Sequence, residues 1–174
     1  MGLMSFPVVG AGSLTDVWDP TTNARGEPGS IFLSKNSAGE WSVVEIVQLD
    51  NNGVSQGEAL VQNFATLTGF SGKASATTDE GAPMKGVAAA TIASQKCGYA
   101  IIGGYCEKMD FSHTAASGEY ICIGGSTAAK FTPNKASCFN LGTLGNASQV
   151  MVVAVARAAI ATGVGSAQIL GIWG

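Results

Sequence analysis

A chain of 174 residues with 46% hydrophobic but only 12% charged side chains can build one real core, yet it has too little charge to cover an isolated surface in the usual way. Its net charge of −3, with no run of Lys or Arg, excludes a protein that binds nucleic acid by displacing counterions. Four cysteines without a C-x-x-C pair, and a single histidine, exclude the common zinc and dithiol-redox motifs.

Residues 1–38 are expected to form an irregular N-terminal arm. Pro7, Gly10, Gly12, Pro20, Gly26, Pro28 and Gly29 interrupt them every few positions. Phe6, Trp18 and Phe32 punctuate the same stretch, so it must bury apolar side chains on its own domain or on a neighbour. Residues 39–174 are expected to form the domain. Glu40–Leu49 is rich in β-branched residues and stops at Asp50-Asn51-Asn52-Gly53, where Asn-Gly favours positive φ and a turn. Val54–Gln62 reads as a second strand region, and Thr66–Glu80, full of Gly, Ser, Thr and Ala, as a loop. Gly86–Ile92, Gly98–Met109, Gly118–Ile123, Val150–Ala156 and Ala167–Trp173 follow as further strands. Ser148–Thr162 has the alanines of a helix, but its crowded valines favour a pleated surface. The apolar stretch Val150–Trp173 is broken by Arg157, Gly163 and Gly165, which favours two strands and a turn over a membrane span. Short strands at even spacing with Gly-rich turns give an all-β fold, a small β-barrel or β-sandwich of antiparallel strands.

Little chemistry is legible. His113 lies in Asp110-Phe111-Ser112-His113, but neighbours in an extended segment point to opposite faces, so Ser112 and His113 are not expected to converge. No carboxylate pair stands out, and the glycine pairs lack the order and the following helix of a phosphate loop. No catalytic, cofactor-binding or metal-binding residue is therefore assigned. Buried, reduced thiols and a disulfide, with Cys97–Cys106 as one candidate pair, are both compatible with the spacing. Met1–Phe6 lacks the basic start and long apolar run of a secretory signal.

A series of segments is nonetheless distinctive: Val44-Glu45-Ile46-Val47-Gln48-Leu49, Gly57-Glu58-Ala59-Leu60, Gly86-Val87-Ala88, Gly98–Tyr105, Gly118-Glu119-Tyr120-Ile121 and Val153–Ala158. Over residues 40–174 this series resembles the capsid decoration, or cement, proteins of tailed bacteriophages. The resemblance implies a non-enzymatic β-barrel made in the host cytoplasm and carried on the virion's capsid surface. Its partners would be the major capsid protein and further copies of itself, with trimers suiting local three-fold positions; neither nucleic acid nor membrane is an expected partner. Phe6, Trp18, Phe32 and Trp41 are the expected interface anchors, since aromatic side chains carry much of the energy of interfaces. Two other readings stay open: a tail or head–tail joining protein, and a carbohydrate-binding module or small hydrolase.

Overall fold

The computed structural model describes residues 8–9, 13–22, 26–50, 52–62, 71–73, 84–123, 129–133 and 152–170. They form eleven strands and one 3-10 turn, η1 (Ser13–Thr15), with no α-helix among the described residues. The strands are β1 (Val8–Val9), β2 (Ile31–Lys35), β3 (Trp41–Gln48), β4 (Ala59–Gln62), β5 (Ser71–Lys73) and β6 (Met84–Ala88). Then come β7 (Cys97–Phe111), β8 (Tyr120–Ile123), β9 (Phe131–Pro133), β10 (Val152–Ala156) and β11 (Gly163–Ile169). The all-β expectation holds, and Val152–Ala156 is strand rather than helix.

The 15-residue β7 organises everything else. Its first half pairs with β3 on one edge and β6 on the other; its second half pairs with β11 and, at Phe111, with β9. The ring β7–β11–β10–β8–β9 closes as a five-stranded barrel, and its seam is the parallel Phe111–Phe131 pair, whose rings lie 6.4 Å apart. Closure removes exposed strand edges from that part of the molecule.

The chain uses one plan twice. β4 takes β5 and β6 as neighbours and β6 then pairs with β7; β8 takes β9 and β10 and β10 then pairs with β11. Small irregularities repeat as well. Lys85 bulges from the β4–β6 ladder, and Val153 bulges from β8–β10 at the corresponding place. Glu58 Oε2 accepts the Ser55 N–H at 2.7 Å, and Glu119 Oε2 accepts the Ala116 N–H at 2.7 Å. The glycine before each glutamate has a left-handed φ, 84° at Gly57 and 82° at Gly118. Val54 bridges to Ile92, and Ala115 to Ile160. Ile92 then packs so closely on Gly98 that a Cβ there would come within 2.6 Å, as Ile160 does on Gly165 at 2.5 Å.

The two cores match position by position. Leu49, Val54, Leu60, Ala88, Ile92 and Ile102 fill the first unit. Phe111, Ala115, Ile121, Ala156, Ile160 and Ile169 hold the same places in the closed barrel. One departure stands out. The row Ala88–Ala100–Glu45 corresponds to Ala156–Ala167–Cys106, so Glu45 occupies a core position. It is 5% exposed and pairs with the bulged Lys85 at 2.6 Å.

Several expectations about boundaries change: β4 starts at Ala59 rather than Val54, and β11 starts at Gly163, where a turn was expected before Ala167. Residues 1–38 already contribute strands to the sheet: β2 forms a five-residue antiparallel ladder with β3, and β1 pairs in parallel with β2. The hairpin turn is held by Asn36, whose side-chain oxygen accepts the Glu40 N–H at 2.9 Å. The stretch Thr66–Glu80, expected to be loop, contains β5, which is recruited by pairing with β4 and not by any propensity of Ser71-Gly72-Lys73.

The three described cysteines, Cys97, Cys106 and Cys122, are free and buried. Cys97 and Cys106 lie on one extended strand, about 30 Å apart at the usual rise per residue, far beyond disulfide reach. Burial pushes the Cys106 thiol up to about 12 and the Cys122 thiol up to about 11, so neither is a ready thiolate. Cys138 lies outside the described residues.

Candidate assembly face

Registered strands place one residue from each strand in a lateral row, and the outer face of the closed barrel carries the row Tyr120–Val155–Gln168–Tyr105. The first unit has the corresponding row Ala59–Val87–Ile101–Val44, and all four of those residues are buried. Leu14, Trp18 and Phe32 of the N-terminal segment pack into the cluster that holds this row, together with residues of the closed barrel. No described segment covers the outer row of the second unit. Tyr120 is 59% exposed there, with Val164 at 60% and Leu170 at 55% on the same outward side of β11.

Polar groups frame this face. The Arg157 guanidinium lies over the Tyr105 ring, 5.2 Å from its centroid, and also contacts Glu40. Next to Glu40, Trp41 is 48% exposed with the Lys35 ammonium 5.3 Å from its ring centroid. A cleft of about 200 Å³ opens where the N-terminal cover meets the second unit, between Leu14, Ile101 and Tyr105, with Lys35, Glu107 and Lys108 among its lining.

The four expected anchors separate. Trp41 is exposed, and Phe32 is half-buried against the chain's own core. Trp18 is 4% exposed: it packs on Tyr99 at 5.3 Å between ring centroids and exchanges two backbone hydrogen bonds with Cys97, at 3.1 and 2.9 Å. Its role is therefore internal. Phe6 lies outside the described residues. Tyr120, Val164 and Leu170 were not singled out from sequence; alternation along β11 (Val164, Ser166, Gln168 and Leu170 outward) was the available signal for two of them.

The cover over the first unit is pinned by charge. The Lys96 ammonium and the Thr21 hydroxyl and N–H all bond the Asp19 carboxylate, which holds its pKa far below the usual carboxylate range. A carboxyl depressed on folding contributes stability above its ordinary pKa and loses it as pH falls through that value towards the folded one. Asp19→Asn should therefore lower the melting temperature at neutral pH and flatten the acid limb of its plot against pH below about pH 4, so that the variant and parent curves converge in acid. An acid limb identical to that of the parent chain would show that Asp19 does not pin the cover.

Ser112 and His113 converge after all. Ser112 Oγ lies 2.9 Å from His113 Nδ1, and Thr132 Oγ1 lies 3.1 Å from the same nitrogen. The expectation failed because β7 ends at Phe111, so strand alternation no longer applies one residue later. Asp110 does not extend the cluster into a relay, since Lys130 engages its carboxylate at 3.0 Å. Among the described residues no group of three or more His, Cys, Asp or Glu is placed to hold a metal ion, and no helix is long and apolar enough to cross a membrane.

Comparisons with protein-family models, with curated proteins and with solved structures found no match.

Proposed function

We propose that this chain is a non-enzymatic structural protein that docks by the outer face of its closed barrel, and that it decorates the capsid of a tailed bacteriophage. The observation that carries the docking reading is the row Tyr120–Val155–Gln168–Tyr105, in which Tyr120 is exposed and the other three are half-buried, whereas its counterpart in the first unit is fully buried. Exposed Tyr and Val beside a stacked Arg have the composition of an interface centre, and a chain with 12% charged residues has little else to recommend it to water. The capsid assignment rests on the resemblance of residues 40–174. In that setting many copies, each bound weakly, would brace joints between shell subunits by avidity. Further copies of the chain, as trimers, would share the same face with the major capsid protein.

The test is sedimentation of the purified chain with undecorated heads of the phage that encodes it, beside the variant Tyr120→Asp with Val164→Asp. Saturable co-pelleting that the variant loses supports the proposal. Absence of the chain from purified virions overturns the virion reading, and presence on isolated tails alone would move it to the tail.

A further inference from the structure

The first unit shows what its outer edge is built to hold. Tyr99 C=O accepts the Ala89 N–H at 2.9 Å, pointing towards the edge beyond the end of β6. Cys97, two residues earlier, points its own N–H and C=O the same way, and Trp18 takes both. The second unit repeats the arrangement with one member missing. Ser166 C=O accepts the Arg157 N–H at 3.4 Å, at the place of Tyr99 and Ala89. Val164 stands at the place of Cys97: Cys97 pairs with Gln48 on one neighbour, and Val164 pairs with Asp110. Alternation therefore aims the Val164 N–H and C=O past the end of β10. Among the described residues no backbone bond outside the strand ladders reaches them, and the side chain is 60% exposed.

We infer that the edge at Val164, with the exposed row beside it, is a docking slot for a short segment of a neighbouring subunit that carries an aromatic side chain. This rests on the assembly reading above and names the kind of partner its face would take. The chemistry of the occupant is read from the filled site. There a short stretch between the 3-10 turn η1 and the turn at Pro20 pairs through the N–H and C=O of Trp18 alone and lays an indole against the sheet. Its flanks are acidic, Asp16 and Asp19, and Asp19 meets a cation, Lys96. Arg157 stands where the first unit has Ala89 but already meets Glu40 and Tyr105, so the aromatic side chain is the feature the open slot would select. Adding a strand to an exposed edge is a common mode of peptide capture: the backbone supplies affinity, and the side chain chooses the partner.

The probe is a labelled peptide with the sequence of residues 13–22, which carries the filled site's segment, added to the full chain. Saturable one-to-one binding is expected, with slowed amide exchange at Val164. Val164→Pro removes the donor without touching the ladder to β7, and should weaken binding about tenfold or more. A peptide with Ser in place of the tryptophan should lose as much. Should Val164→Pro lower the melting temperature, Val164→Asp makes the same test through the side chain. No saturable binding, binding indifferent to both Val164 variants, or protection at Cys97 instead of Val164 would each overturn the slot. Sedimentation with phage heads separates the two readings: attachment that persists without peptide binding removes the slot and leaves assembly standing, whereas peptide binding without attachment does the reverse.

Discussion

Glu45→Gln should lower the stability of the fold by about 3–5 kcal/mol, a drop on the order of 10 °C in melting temperature for a chain of this size. Glu45 is nearly solvent-free on the inner side of β3, and its carboxylate reaches over Ala100 of β7 to the Lys85 ammonium on β6. The pair ties together the two strands that flank β7. It also gives the bulged Lys85 a partner for a charge that is itself mostly buried. Removing one member leaves the other uncompensated in a poorly solvated place, and that penalty exceeds the loss of the contact itself. The second unit supplies the control, because Cys106 and Val153 stand at the same two positions and the barrel closes around them. Glu45→Cys combined with Lys85→Val should therefore recover most of the loss, ending within about 1 kcal/mol of the parent chain. Urea denaturation of the two single variants and the double one gives the cycle. A neutral Glu45→Gln, or a double variant worse than the sum of the singles, would mean that the ion pair is not what holds this site.

Much of the architecture was legible because it depends on local pattern. Gly98–Met109 was marked as a strand by Tyr99, Ile101, Ile102 and Tyr105, and it extends only slightly at each end, to Cys97 and Phe111. Gly57 and Gly118, read into the strand regions Val54–Gln62 and Gly118–Ile123, lie instead in the turns that precede β4 and β8. Long-range pairings were not legible. Nothing near Trp18 announces that its N–H and C=O belong to Cys97, so an internal cover looked like a free anchor. Ser71-Gly72-Lys73 has no strand propensity and is a strand only because β4 needs a neighbour. The duplication lay in plain view in Gly57-Glu58-Ala59-Leu60 against Gly118-Glu119-Tyr120-Ile121, and in Val87–Ile92 against Val155–Ile160. It is obscured because only turn-forming and inward residues repeat. Outward positions have diverged, Ala59 to Tyr120 and Ala89 to Arg157, because one face is covered by the chain's own segment and the other is open. The candidate site is therefore the place where the two copies differ, and a single reading of either copy could not have located it.

Gly104→Ala should be the most damaging single methyl that can be added to β7, costing about 3–5 kcal/mol or preventing folding outright. Gly104 sits where the long strand passes from one unit to the other, paired with Ser42 on one side and Ile169 on the other. Two separate constraints meet there. Its φ of 81° lies in the left-handed region, which costs a residue with a Cβ about 1–2 kcal/mol. A Cβ would also stand 2.4 Å from the Trp41 carbonyl oxygen and 3.1 Å from the Ser42 Cα. Both are backbone atoms, so relief requires β3 to move away from β7. Gly118→Ala separates the two terms, because Gly118 has φ 82° but nothing within 4 Å of the added methyl. It should cost only the conformational part, about 1–2 kcal/mol. The difference between the two variants in urea denaturation then measures how closely β3 must approach β7. A difference below about 1 kcal/mol would show that the strands separate easily at this point. The crossover between the units would then be a flexible joint. A larger difference makes it a rigid one, holding Trp41 and Glu40 beside Arg157 and so fixing one border of the exposed face.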